Sequence, residues 1–294
     1  MSMIDADVPG RLLVESRPSI EEVEARVQGA RARQEFRTRW AAILYPVVTM
    51  VVVVVVWEFV ARFFAVPTYL VPAPTVVAAS MLANAATLLE NGWITVIEIV
   101  LGFVLSIVIG IPLALAIFLS PAFSRAVFPL LVSSQAMPKV AIAPLLLVWF
   151  GFGLLPKVLI AFLIAFFPVV ISTVVGLQSI EREKIYLAQS MGFGTVKTFF
   201  KIRLPNALPA IFGGLKISIT LAVVGAIVGE FVGGDAGLGY LLMVANGSMD
   251  TPLLFAGLVA LTALGVAFFL LVELAERLLL PSHATAQKPG GGHA

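Results

Sequence analysis

Glu181-Arg182-Glu183-Lys184-Ile185-Tyr186-Leu187-Ala188-Gln189-Ser190-Met191-Gly192-Phe193-Gly194-Thr195-Val196-Lys197-Thr198-Phe199-Phe200-Lys201-Ile202-Arg203-Leu204-Pro205-Asn206-Ala207-Leu208-Pro209 is a charged segment between two long apolar stretches. Inside lipid every backbone polar group must be satisfied within the chain, so a polar insert of this length belongs outside the bilayer. Its five cations, Arg182, Lys184, Lys197, Lys201 and Arg203, place it on the cytoplasmic side. Glu181–Ser190 is helix-compatible, Gly192 and Gly194 break it, and Thr195–Leu204 allows a second short helix before Pro205. Two short helices joined by a glycine turn make a rigid protrusion able to pass a partner's movement to the flanking spans. An ordinary helical loop would give the same pattern.

Composition supports a membrane setting. The 294 residues are 60% hydrophobic and 12% charged, with a mean hydropathy of +1.04. A soluble domain carries about 25% charged residues. There are no cysteines, which excludes disulfides and thiolate metal sites. No cleavable signal peptide is expected, because the first apolar run begins near Ala41, after Arg31, Arg33, Arg37 and Arg39.

Six apolar segments meet the roughly 20-residue requirement for a span. They lie near Ala41–Ala61, Trp93–Leu119, Ala126–Phe150, Pro156–Gln178, Ala207–Val232 and Pro252–Leu274. With the N-terminus inside, almost every Lys and Arg falls on the cytoplasmic side: those before the first span, Arg125, the five of the polar insert, Arg277 and Lys288. Only Arg62 and Lys157 fall outside, and Lys139 and Lys216 fall within spans. This asymmetry predicts an all-α, polytopic protein with both termini cytoplasmic. The expected organisation is an N-terminal amphipathic segment over 1–40, a six-span body over 41–280 with the loop 181–205, and a disordered tail over 281–294.

Residues 19–39 read as an amphipathic helix, with Ser19 and Glu22 at capping-box spacing; it is either a lead-in to the first span or a membrane-surface helix. Pro67, Pro72 and Pro74 predict an extended external loop, followed by an interfacial helix over Thr75–Leu89.

Three sets of residues stand out inside the spans. Ser133, Ser134, Gln135 and Lys139 cluster with Pro138 and Pro144 in the third span. A midspan lysine costs about 2.5–3.5 kcal/mol on insertion scales, so it needs water or a polar partner. It lines a path, pairs with carbonyls, or touches the solute. Glu98 and Glu230 lie near external ends, either as wet interfacial residues or as acidic groups at an outer mouth that repel an anionic solute. Gly225, Gly229 and Gly233 recur every fourth residue and predict close helix packing. His283 and His293 have no ligand partners, and Gly213-Gly214-Leu215-Lys216 lacks the spacing of a phosphate loop. The chain is therefore not expected to bind ATP by that device, and no nucleophile–base pair suggests an enzyme.

Gly192, with nine residues between it and Ile202-Arg203-Leu204-Pro205, resembles the cytoplasmic signature loop of binding-protein-dependent ABC transporter permeases. Further stretches are similar to the nitrate/sulfonate/taurine group, which includes carriers of pyrimidine thiamine precursors and riboflavin. They are Pro138–Leu145 running on to Trp149–Gly153, Gly229-Glu230-Phe231 followed by Gly237-Leu238-Gly239-Tyr240, and Gly102-Phe103. Where Glu-Ala-Ala is usual, this chain has Tyr186-Leu187-Ala188 and only Ala188 matches. Many sulfonate-type members carry arginine where this chain has Glu98.

The resemblance implies a type I importer permease in a bacterial inner membrane. It implies a second copy of the chain, two ATPase subunits that bind ATP and Mg, an extracytoplasmic solute-binding protein, and no nucleic acid. Tyr186, Leu187, Ala188, Met191, Gly192, Ile202, Leu204 and Pro205 become the coupling residues, with Ala188 and Gly192 near the tip. Ser133, Ser134, Gln135, Lys139, Glu98 and Glu230 become candidate pathway residues. A pyrimidine- or riboflavin-like solute is the expected cargo. An ion-coupled secondary transporter is the alternative, although no repeated ion site is visible in two halves.

Overall fold

The computed structural model describes residues 44–280, so the expected amphipathic segment over 19–39 and the tail over 281–294 lie outside the described residues. The chain divides into two units, residues 1–60 and 61–294, each described by itself. In the first, helix α1 (Leu44–Phe63) begins. Its run Val51–Val56 is exposed throughout, as a lipid-facing apolar surface would be.

The second unit is built on three long helices. α3 (Ala85–Leu119), α6 (Leu154–Gln178) and α9 (Leu204–Gly233) carry most of the buried residues. They meet at Ala161. A side chain at Gly225 of α9 would meet Ala161 Cα at 2.5 Å, and one at Gly102 of α3 would meet Ala161 Cβ at 2.5 Å. Small residues at this junction let the backbones approach and pack by van der Waals contact, which is the main attraction available between helices in lipid. Ile99, Ala165, Ile219, Ala222, Val223 and Ala226 surround the junction. Gly229 lies against Lys157 and Gly233 against Leu147, so the four-residue glycine repeat packs within the chain, as its spacing predicts.

Three boundaries differ from the sequence expectation. The loop before the second span contains a turn, with Leu70 N–H donating to the Pro67 carbonyl at 2.9 Å, so it is not extended throughout. The following helix, α2 (Pro74–Ala83), ends at Asn84 rather than near Leu89. The Asn84 amide turns back to the Ser80 carbonyl at 3.0 Å, a local bond that competes with helix continuation. α3 therefore starts eight residues earlier than expected and has 35 residues, about 50 Å of helix. That exceeds a hydrocarbon core of about 30 Å.

The expected third span is broken. α4 (Pro121–Gln135) and the segment Lys139–Phe150 meet at an angle of 89°. Pro138 is extended (φ −70°, ψ 93°), and a 3-10 turn over Lys139–Ile142 leads into α5 (Ala143–Phe150). Proline cannot donate the intrahelical bond and pushes its predecessor out of helical geometry, which accounts for the break. Among the described residues, five helices are long and apolar enough to cross a membrane, or six if the bent pair is one span.

At one end of this unit lies α7 (Arg182–Ser190), then α8 (Thr195–Thr198), which runs through a π turn over Phe199–Arg203 into α9. At the other end lie α10 (Leu238–Gly247) and the start of α11 (Thr251–Leu279). α10, α11, α2 and α3 share a core of Val77, Leu88, Leu238, Leu241, Leu242, Ala256 and Leu261. Asp250 caps α11 by accepting from Leu253 N–H at 3.1 Å.

Candidate functional site

The helical hairpin formed by α7 and α8 closes through a Schellman turn. Phe193 N–H donates to Ala188 O at 3.0 Å and Gly192 N–H to Gln189 O at 2.9 Å. Gly192 has φ +79°, a left-handed conformation that glycine adopts without steric cost. Beyond the turn there is no second hinge. Thr195–Gly233 is one continuous helix of 39 residues, so the expected separate short helix ending near Leu204 is in fact the first part of α9. The π turn explains why Pro205 does not break it. Widening the helix before the proline relieves the collision of its ring with the carbonyl four residues back.

The hairpin is tied to three spans. Phe199 packs beside Leu177 of α6 with Ala207 and Ile211 of α9. Its ring centroid is 6.4 Å from that of Phe118 in α3, and the Arg203 guanidinium lies 5.0 Å from the Phe118 centroid. The opposite face is apolar and open: Tyr186, Leu187, Met191, Val196 and Phe200 are each more than 60% exposed. Gly192 and Pro205 are exposed, and Ile202 and Leu204 are half-buried. Ala188 lies at the turn, near the tip as expected, but its side chain is not presented to a partner. It is 3% exposed and turned to the inside of the hairpin, because its carbonyl anchors the turn and its small side chain fits beneath.

The candidates in the broken span do not share one environment. Ser133 and Gln135 are exposed, and Ser134 donates to the Leu131 carbonyl of its own helix at 2.7 Å. Lys139 is half-buried at the kink, with its ammonium 4.1 Å from the Phe167 ring centroid of α6. The lysine thus finds an aromatic face rather than the helix carbonyls.

Glu98 and Glu230 are corrected more sharply. Both are 0% exposed, so neither presents a charge at an open mouth. Glu98 Oε1 is 3.1 Å from Lys157 Nζ, and Lys157, expected outside, is itself only 3% exposed. Lys157 also reaches the Ala236 carbonyl at 3.3 Å and Asp235 Oδ1 at 3.5 Å. Glu230 accepts from Thr95 Oγ1 at 2.6 Å and from Gly239 N–H. Thr95 Oγ1 accepts from Leu238 N–H at 2.9 Å, and Asn91 Oδ1 from Gly237 N–H at 2.9 Å. Gly237 has φ +114°, and a side chain there would run into the Glu230 carboxylate. The network joins α3, α6, α9 and the entry to α10. Isolated charges could not be buried so deeply; pairing and hydrogen bonding make it possible.

Sequence reasoning missed Asn91, Thr95 and Lys157. Asn91, Thr95 and Glu98 fall at i, i+4 and i+7, one face of α3, and that periodicity was the available signal. No local pattern points to Lys157 as their partner. Lys216, a second lysine inside a span, forms an ion pair with Glu276 and ties α9 to α11.

Residues 106–282 match the family described as "Binding-protein-dependent transport system inner membrane component". The formylaminopyrimidine transport permease protein ThiX of Halalkalibacterium halodurans is 36% identical over 81% of this chain and 95% of its own length. The riboflavin transport system permease protein RibX of Chloroflexus aurantiacus is 37% identical over 85% of this chain and 94% of its own. Among solved structures, a chain of the MetNI methionine ABC transporter in an inward-facing form superposes with a TM-score of 0.59 at 19% identity. That match covers 66% of this chain and 96% of the other, and it shows the fold, that of a type I importer permease. With its broken span, its helical hairpin and its six apolar segments, the chain belongs to the inner-membrane permease components of binding-protein-dependent ABC transporters.

Proposed function

We propose that the chain is the membrane-spanning half of an ATP-driven importer, working as a homodimer with two ATPase subunits beneath the α7–α8 hairpin and a solute-binding protein at the α10 end. The observation that carries this reading is the hairpin itself: five exposed apolar side chains on a polar, cation-rich segment, fixed to α3, α6 and α9 without an intervening hinge. Such a lever transmits displacement, where a flexible loop would absorb it. ATP and Mg belong to the ATPase, and the chain supplies a two-state element. The excess of Lys and Arg before α1 and in the hairpin supports cytoplasmic termini. Of the candidate pathway residues, Ser133, Gln135 and Lys139 remain open at the broken span and are the ones assigned to the path.

Cysteine substitution in this cysteine-free chain tests the assembly. Tyr186→Cys and Met191→Cys should cross-link to the ATPase, and Phe152→Cys, between α5 and α6, should not. Cross-linking at Phe152 instead would reverse the assignment.

We infer a nitrogen heterocycle of the pyrimidine or flavin kind as the solute. Support comes from relatives named for formylaminopyrimidine and riboflavin, at 36% and 37% identity, against 28% for one named for taurine. The repulsion of anions expected from Glu98 and Glu230 gives no support, because both are buried. Uptake with the cognate binding protein decides it: saturable transport of taurine and none of either heterocycle overturns the assignment.

A further inference from the structure

The buried cluster of Glu98, Lys157 and Glu230 has an odd charge balance. Two carboxyl groups and one ammonium are each at most 3% exposed. Fully ionised, they would leave one negative charge uncompensated in a site closed to water, and such a charge is neutralised by a proton or a partner. Among the described residues, the charged groups in contact do not supply that partner. α10 carries no charged residue, and Asp235, the remaining titratable group in contact, is a further acid and is 87% exposed.

The two carboxyl groups are also held differently. Both oxygens of Glu230 receive donors, Thr95 Oγ1 and Gly239 N–H, which is the environment of an ionised carboxylate. Glu98 Oε1 lies 3.1 Å from the Lys157 ammonium, but neither oxygen of Glu98 receives a hydrogen bond among the described residues, and Oε2 has no ionic partner either. An acceptor with no donor, fully buried on the same face of α3 as the Thr95 that holds Glu230, is the place for a hydrogen. We propose that this cluster is a proton-binding site, with one proton held on Glu98 beside Lys157 while Glu230 stays ionised. A metal cation fits poorly, because the ammonium already occupies the cationic position and both Glu230 oxygens are taken. A water molecule would satisfy Oε2 but leave the negative charge.

Infrared spectroscopy of the full-length chain in lipid nanodiscs tests this independently of the transport reading. At a pH of about 8, several units above the ordinary carboxyl range, exposed acids are ionised. A protonated-carboxyl C=O stretch is expected in the wild type. It should vanish in Glu98→Gln, shift in Glu98→Asp and persist in Asp235→Asn. Glu98→Gln mimics the neutral acid and should move Tm by less than about 2 °C. No band in the wild type overturns the proposal. So does a band unmoved by Glu98→Asp, or a Glu98→Gln chain that is grossly destabilised, since each outcome means that Glu98 is not the neutral group.

Discussion

The two ends of the second unit solve opposite problems. At the hairpin end, apolar side chains are exposed and the geometry is set by bonds a few residues apart: Phe193 to Ala188 and Gly192 to Gln189. At the α10 end, charged side chains are buried and the geometry is set by partners far apart in the chain: Thr95 with Glu230, Glu98 with Lys157, Asn91 with Gly237. A surface built for a partner can rely on local turns, because the partner supplies the remaining burial. A closed polar network has no such help. Every donor and acceptor must come from the chain itself, and the loss of one strands the others.

That contrast predicts a gradient of mutational cost. Lys157→Met should be the most damaging change, because it leaves the ionised Glu230 buried without the cation that balances its charge. A loss of about 3–5 kcal/mol is expected for breaking such a pair, visible as a lower Tm in nanodiscs. A wild-type Tm for this variant would mean that the cluster is hydrated and would erase the difference between the two ends. Gly192→Val comes next. A β-branched residue in the left-handed region costs roughly 1–2 kcal/mol or more, confined to the hairpin. The protein should insert normally but lose transport and ATPase stimulation; survival of both would show that the turn is not a lever.

Lys139→Met probes the kink. Removing the cation from the Phe167 face should cost about 0.5–2 kcal/mol. A cysteine placed at 139 should react with a water-soluble thiol reagent in at least one nucleotide state, and protection in every state would take Lys139 off a hydrated path. The smallest effect is expected from Lys184→Ala. Its pair with Glu181, 3.2 Å apart and over half exposed at both residues, should contribute less than about 1 kcal/mol, and unfolding measurements in high salt should not separate the variant from the wild type. A large effect there would mean that the hairpin is stabilised by charge rather than by its turn and the Phe199 anchor.

The sequence by itself determined the features that depend on composition, period and local stereochemistry. Apolar length gave the spans, because lipid demands about 20 apolar residues to cross. Gly192 marked the turn because its position requires positive φ, and the glycine repeat of α9 marked a packing face because close approach excludes side chains. Family membership was legible from the signature-loop spacing together with the Pro138–Gly153 and Gly229–Tyr240 stretches. Tertiary structure decided what depends on partners distant in sequence or on competing local bonds. Asn84 folding back on Ser80 moved the start of α3. Pro138 turned a continuous span into two helices at 89°. The widened π turn let α8 run on through Pro205 into α9. Above all, the position of Glu98 and Glu230 near helix ends suggested exposure, and only the convergence of α3, α6 and α9 on Ala161 brings Lys157 to Glu98 and closes the site. Burial of a charge depends on which side chain meets it across the packed helices, and no sequence spacing within a single helix encodes that.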